Sequence, residues 1–249
     1  MSFKDHFSTQ SAAYAQFRPR YPAALFDWLA TQAPSRQRAL DLATGSGQAA
    51  VELAGRFERV VATDASAKQL LQAEQRSNID YRCEPAEQIS LGDGSCDLVT
   101  VAQALHWFDV PKFSAELSRV LRPGGVAAVW CYETFRLEPG IDEICSRFYH
   151  ETVGPFWPPE RRWLETGYAG LELPFPDIET PAFDLAVDWD LDQLIGYLGT
   201  WSATQRYREA KGNDPLPAVR ESLLRQWGDP AETRYVSWPL KLRVVRKPA

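Results

Sequence analysis

Residues Leu40–Ala50 read LDLATGSGQAA, an apolar run broken by an aspartate and then a turn of small residues. A core strand has no need of the acid Asp41, and a plain turn has no need of Gly45 and Gly47 so close together. The pattern predicts a strand that ends at a ligand, with QAAVELAGRF starting a helix directly beyond it. The first turn of such a helix offers unpaired N–H groups and a partial positive charge, and small residues let the backbone approach what binds there.

Outward from this stretch, short apolar runs alternate with amphipathic segments between residues 38 and 132. The runs are ALDLA (39–43), VVATD (60–64), IDYRC (79–83), CDLVTVA (96–102) and GVAAVWCY (125–132). Between them, SAKQLLQAEQ carries Ser66 and Gln69 at the spacing of a capping box. VPKFSAELSRVL sets Phe113, Leu117, Val120 and Leu121 on one helical face and is expected to stop at Arg122, because Pro123 follows. Strand and helix at this period predict an α/β fold, a parallel sheet with helices on both faces. Residues 1–37 read as a helical N-terminal cap, in which Pro22 opens a helix with Leu25, Phe26, Trp28 and Leu29 on its apolar face. Residues 133–180 break the rhythm with six prolines among interleaved aromatics and read as an insertion folded over the sheet. From 181 to 249 the chain is expected to form the C-terminal part of the sheet, through FDLAVDW (183–189) and a last strand in WPLKLRVVRK. A single domain accommodates all 249 residues.

The net charge of −6, with no basic run to offset it, argues against nucleic acid or an anionic membrane as partner. No apolar stretch approaches the roughly 18 residues of a membrane span. The polar start MSFKDHFSTQ has no signal-peptide character, so a cytoplasmic protein is expected. Cys83, Cys96, Cys131 and Cys145 form no C-x-x-C pair, and His6, His106 and His150 show no metal spacing, so no metal site is expected. The nine tryptophans lack the basic interleaving of a nucleic-acid stacking surface and are assigned to core and pocket walls.

In an open parallel sheet, ligands bind beyond the carboxyl ends of the strands, where strand order reverses. Asp64 ends the second run, and an acid there can accept hydrogen bonds from both hydroxyls of a ribose. The ligand is therefore expected to contain a nucleoside. The dinucleotide pattern G-x-G-x-x-G does not fit, and no Lys-Ser/Thr follows the glycines as a phosphate-binding loop requires. Asp41-Leu42-Ala43-Thr44-Gly45-Ser46-Gly47 instead resembles the first motif of the class I S-adenosylmethionine-dependent methyltransferases, D/E-x-G/A-x-G-x-G, with Ala43 in place of the first glycine. CEPAEQI, CDLVTVAQALHWFD and LRPGG (121–125) are similar to later segments of that family, in its type 11 domain form. YAQFRPRYP (14–22), WSATQRY (201–207) and WPLKLRVVRK are similar to its trans-aconitate and small-acid methyltransferase subgroup.

The resemblance implies a Rossmann-like, seven-stranded, mostly parallel sheet whose last strand, around 236–246, runs antiparallel, with an inserted cap. It implies that the core at 38–132 binds S-adenosyl-L-methionine. The implied contacts are the turn formed by Asp41, Ala43, Thr44, Gly45 and Gly47, then Asp64 and Ala65 at the ribose. Ala86 and Glu87 border the adenine, and Gln103 lies where the methyl-transfer site opens. Arg18 pairs with a carboxylate of cofactor or substrate, or is a surface arginine beside Pro19. Tyr14 and Tyr21 close over the cofactor, or pack the N-terminal helix. The implied reaction is methyl transfer to a small-molecule acceptor, taken here as O-methylation of a carboxylate, by a monomer or homodimer. A carboxylate is ionised at neutral pH and needs no general base, whereas an amine, phenol or carbon acid does. His106, with Gln103 a candidate catalytic residue, is then either that base or a backbone-bonded neighbour of Trp107. Two other functions stay open: a C-methyltransferase of the quinone-biosynthesis type, and a non-catalytic nucleoside-ligand binding protein with this fold.

Overall fold

The computed structural model describes residues 19–249, so Tyr14 and Arg18 lie outside the described residues. Strands β1 (Arg38–Leu42), β2 (Arg59–Asp64), β3 (Ile79–Cys83), β4 (Cys96–Ala102) and β5 (Leu121–Cys131) occupy the five apolar runs. Four more follow: β6 (Asp177–Ile178), β7 (Asp184–Trp189), β8 (Arg234–Pro239) and β9 (Lys241–Arg246). The main sheet has seven strands in the order β3-β2-β1-β4-β5-β9-β6. Strands β1 to β5 run parallel, and β9 is antiparallel to both its neighbours. Strand order reverses between β1 and β4, at the glycine turn.

Helices α1 (Ala23–Gln32), α2 (Gln48–Ala54), α3 (Ala67–Leu70) and α4 (Val110–Val120) flank these strands. The central strands are buried along almost their whole length because both sheet faces are covered. On β5, Val126, Ala128 and Trp130 join the core beneath α1 and α2, while Ala127, Val129 and Cys131 join the core beneath α4. Helix α4 drives its side with Phe113, Leu117 and Val120, all fully buried, each worth about 1.5–3 kcal/mol of apolar transfer. It ends at Val120 rather than Arg122, since Leu121 already pairs with Cys96 as the first residue of β5. The capping box expected at Ser66 and Gln69 is not formed. The Ser66 side chain makes no cap bond, its N–H donates to Asp64 Oδ1 at 2.8 Å, and α3 lasts a single turn.

The boundary expected at residue 180 is corrected in both directions. Asp177–Ile178, placed in the insertion, is strand β6 of the main sheet, and most of 181–249, placed in the sheet, belongs to the cap. Strands β7 and β8 pair antiparallel in a separate two-stranded sheet. On β7 burial alternates, with Leu185 and Trp189 inside and Asp184, Ala186 and Asp188 outside. One solvated face suits an antiparallel pair, not the interior of a parallel sheet. Helices α5 (Pro139–Arg147), α7 (Leu191–Gly199), α8 (Ser202–Lys211) and α9 (Leu216–Trp227) pack around it, whereas α6 (Arg162–Glu165) buries Leu164 in the core beneath α4. This cap has a core of its own, drawn from Tyr132 to Trp238. Trp238 stands at its centre, its ring 5.2 Å from that of Trp189 and its Nε1–H donating to Tyr197 Oη at 3.1 Å. Tryptophan thus serves as core and wall, as its sequence context indicated.

Candidate active site

Strand register builds the first half of the site. It sets Asp41 beside Thr100 of β4, and Thr100 Oγ1 donates to Asp41 Oδ1 at 2.7 Å. Thr44 Oγ1 donates to Oδ2 at 2.5 Å. Asp41 is only 1% exposed, and burial pushes its carboxyl up to about 6, even though the two hydroxyls pull it down. Asp41 therefore fastens the glycine turn to β4. The turn is tied to β2 as well: the Thr44 N–H donates to the Thr63 carbonyl and the Gly45 N–H to Asp64 Oδ2, each at 2.9 Å. With Ser66 on its other oxygen, Asp64 is aimed by two backbone N–H groups.

Ala43, Gly45 and Gly47 all lie in the left-handed region, with φ of +51°, +58° and +83°. A Cβ at Gly45 would meet nothing within 4 Å, so bare backbone borders open space there; at Gly47 it would meet the Tyr81 hydroxyl at 2.5 Å. Ala65 follows Asp64, and its carbonyl faces Cys83 Sγ at 3.8 Å. Ala86 is buried, and Glu87 accepts the Asp109 N–H at 2.8 Å, fastening the start of α4. An S-adenosylmethionine fits this set: a turn bare of side chains, an oriented carboxylate one strand over, and a buried acceptor beyond β4. That acceptor is Gln103 Oε1, which has no hydrogen-bond partner among the described residues.

Gln103 opens the second half. Its φ is +57°, its N–H donates to the Trp130 carbonyl at 2.9 Å, and its Nε2 donates to the Tyr132 carbonyl at 3.0 Å. A cavity of about 70 Å³ lies beside it, walled by His106 and Trp107 from the sheet edge and by Trp157, Arg161 and Trp201 from the cap. Asp41, Gly45, Gly47 and Asp64 do not line this cavity. His106 Nδ1 lies 3.1 Å from Tyr168 Oη. Burial, aided by the charge of Arg161, pushes the imidazole down to about 3. His106 is thus a neutral imidazole held against a tyrosine side chain, which neither sequence reading described.

Tyr21 packs edge-on against Trp130, 5.4 Å between rings, and against Phe26 at 6.4 Å. Sequence reasoning missed Thr100, Tyr168 and Arg161. A threonine inside the apolar run CDLVTVA was a usable signal for the first; the other two come from a stretch with no period. Among the described residues no group of three His, Cys, Asp or Glu side chains could hold a metal, and no helix is long and apolar enough to cross a membrane.

Comparison with known proteins agrees with this geometry. The methyltransferase domain family matches residues 40–129. A Dictyostelium discoideum protein described as a methyltransferase is 34% identical over 229 residues, spanning 90% of this chain and 87% of its own. A solved structure from Anaeromyxobacter dehalogenans, described as a type II methyltransferase, is 44% identical with a TM-score of 0.89, over 94% of this chain and 100% of that one. An N-methyltransferase from Haemonchus contortus, solved with S-adenosylhomocysteine, shares the fold alone, at 17% identity and a TM-score of 0.52 over 100% of this chain and 61% of that one. The chain belongs to the class I S-adenosylmethionine-dependent methyltransferases.

Proposed function

We propose that this methyltransferase acts on the carboxylate oxygen of a small molecule, as the small-acid subgroup it resembles does. The observation that carries the reading is His106, the imidazole of the cavity, whose Nδ1 is taken by Tyr168 and whose pKa is pushed down to about 3. A base that weak cannot hold the proton of an amine, phenol or carbon acid at neutral pH. Glu133, a carboxylate of the same cavity, is engaged by Lys241 Nζ at 3.2 Å. An acceptor that arrives already ionised needs neither group.

When bound, S-adenosylmethionine supplies a methyl group on a sulfonium, and the acceptor oxygen forms its new bond as the carbon–sulfur bond breaks, with no proton released. The chain's own work is then orientation and exclusion of water. Asp64 and the bare turn at Gly45 and Gly47 hold the nucleoside, while Asp41 keeps that turn seated on β4. Gln103 Oε1 offers a buried acceptor to a donor group where the two halves of the site meet. His106 and the aromatics of the cap wall the cavity that receives the acceptor. The test is transfer from methyl-labelled cofactor to a panel of small carboxylic acids with matched alcohols and amines. Product label that mild alkali releases as methanol supports an ester; alkali-stable label on nitrogen or carbon overturns the carboxylate reading.

A further inference from the structure

Arg161 stands out in the cap. It closes the 3-10 turn Pro159–Arg161, which packs against the 3-10 turn carrying His106. Its guanidinium lies over the Trp157 ring, 3.8 Å from the centroid, and 5.1 Å from the ring centre of Tyr149. Its Nε donates to Tyr149 Oη at 2.6 Å. Stacking and that one bond fix the plane of the fork, so little freedom is left to lose when a ligand binds. The Nη1 and Nη2 groups have no acceptor among the described residues. Arg119, Arg122 and Arg243, also partly buried, each meet a carboxylate at 2.7–3.0 Å. Arg161 meets none.

The charges around it make this consequential. Glu133 is matched by Lys241, and His106 is neutral. Among the described residues, the cavity therefore keeps the unmatched positive charge of Arg161 between walls of Trp107, Trp157 and Trp201. A guanidinium held flat against an aromatic wall matches a carboxylate with two parallel N–H bonds. The indoles beside it favour a flat, apolar body on that carboxylate.

We infer that Arg161 selects the methyl acceptor: it grips the anionic group of a small, flat carboxylic acid whose apolar body rests on the tryptophans of the cavity. This rests on the cavity being the acceptor site of the proposed reaction. Arg161 belongs to the cap, whereas Arg18, the arginine offered for a carboxylate by the sequence, lies outside the described residues.

The experiment is calorimetric titration of benzoate, sorbate and cinnamate, each against its uncharged amide, into protein loaded with S-adenosylhomocysteine. Wild-type protein should bind at least one acid about tenfold or more tighter than its amide, the scale of a charge-assisted pair. Arg161→Gln should abolish that preference, lowering acid affinity while leaving amide affinity within about twofold; Arg161→Lys should restore part of it, since lysine keeps the charge without the fork. Affinity for S-adenosylhomocysteine should stay within about twofold in both variants. Equal binding of acid and amide by wild-type protein, no binding of any acid, or a preference that survives Arg161→Gln would each overturn the assignment, and the first two need no variant to fold. Acids that bind through Arg161 and take up label on carbon or nitrogen instead of forming methyl esters would overturn the proposed reaction and leave this assignment standing. Ester formation with the same KM in Arg161→Gln would do the reverse.

Discussion

Replacing Asp41 by asparagine should make the ligand-free protein more stable at neutral pH, and less so as the pH falls. Asp41 is buried at the end of β1, and its carboxyl titrates at about 6 instead of 3.8 because burial penalises the charge. That is a shift of about two units, or about 3 kcal/mol against the ionised form. The direction follows from which state holds the proton. Below about pH 4 both folded and unfolded chains are protonated, and the group costs nothing. Between about 4 and 6 the unfolded chain ionises while the folded one stays neutral, so stability falls as pH rises; above about 6 the whole penalty is present. Asparagine removes the penalty but keeps only one carbonyl for the hydroxyls of Thr44 and Thr100, a loss of about 1 kcal/mol. The expected net gain is about 2 kcal/mol at pH 7.5, shrinking to nothing or a small loss near pH 4.5. Urea unfolding of variant and wild type at pH 4.5, 6.0 and 7.5 measures the difference, in which every other titrating group cancels. A destabilisation of more than about 1 kcal/mol that is the same at all three pH values would refute the reasoning, since Asp41 would then be an ordinary hydrogen-bonded acid. The same variant should bind the sulfonium cofactor less well relative to S-adenosylhomocysteine at pH 7.5, because a buried anion beside the turn favours a cation.

Three further outcomes are expected. Gly45→Ala and Gly47→Ala both force a left-handed alanine, costing about 1–2 kcal/mol, but only Gly47→Ala also drives a Cβ into Tyr81; a tenfold loss of S-adenosylhomocysteine affinity in Gly45→Ala, by calorimetry, reports ligand against the bare backbone, and unchanged affinity there counts against the motif. Asp64→Ala releases the N–H groups of Gly45 and Ser66 and any ribose bonds together, so cofactor affinity should fall tenfold or more, and a loss of less than about threefold removes Asp64 from the ribose. For His106, neutral and held through Nδ1 against Tyr168, kcat should stay flat between pH 6 and 8, with His106→Gln near wild type and His106→Ala down no more than about tenfold; a fall of 10²–10⁴ would restore the general base.

The sheet was legible because β1, β2, β4 and β5 are buried on both faces, and such runs at a regular interval have few other uses; β3, an edge strand, was the weakest of the five. The strands that misled are those that alternate. FDLAVDW reads as a strand and is one, yet Asp184, Ala186 and Asp188 sit on a solvated face, and that alternation was the sign of a separate antiparallel pair. The glycine turn and Asp64 were legible because their chemistry is local to one strand end each. What was hidden depends on contacts across the sheet or across the chain. Asp41 read as a cofactor contact, but its oxygens go to Thr44 and to Thr100, a residue 59 positions away that only the β1–β4 register brings alongside. Tyr168, 62 residues from His106, decides which nitrogen of that imidazole faces the cavity. Arg161 lies in WPPERRW, where no periodicity speaks; only the folded stack on Trp157 separates it from its neighbour Arg162, whose guanidinium lies over Trp163 instead.

The end of β5 explains why the cap and the cofactor turn can act as one site although no covalent link between them is short. Three consecutive residues there enter three different cores: Trp130 the one beneath α1 and α2, Cys131 the one beneath α4, and Tyr132 the core of the cap. Gln103 bonds to this junction twice, through its backbone to Trp130 and through its amide to Tyr132. It does so from a left-handed backbone that costs a non-glycine residue about 1–3 kcal/mol. Glycine would remove that cost and keep the backbone bond, so the side chain is what the strain maintains. Its amide nitrogen holds the cap to the sheet while its oxygen is left buried and unbonded among the described residues. A donor arriving at Oε1 therefore meets a group already positioned by both halves of the molecule.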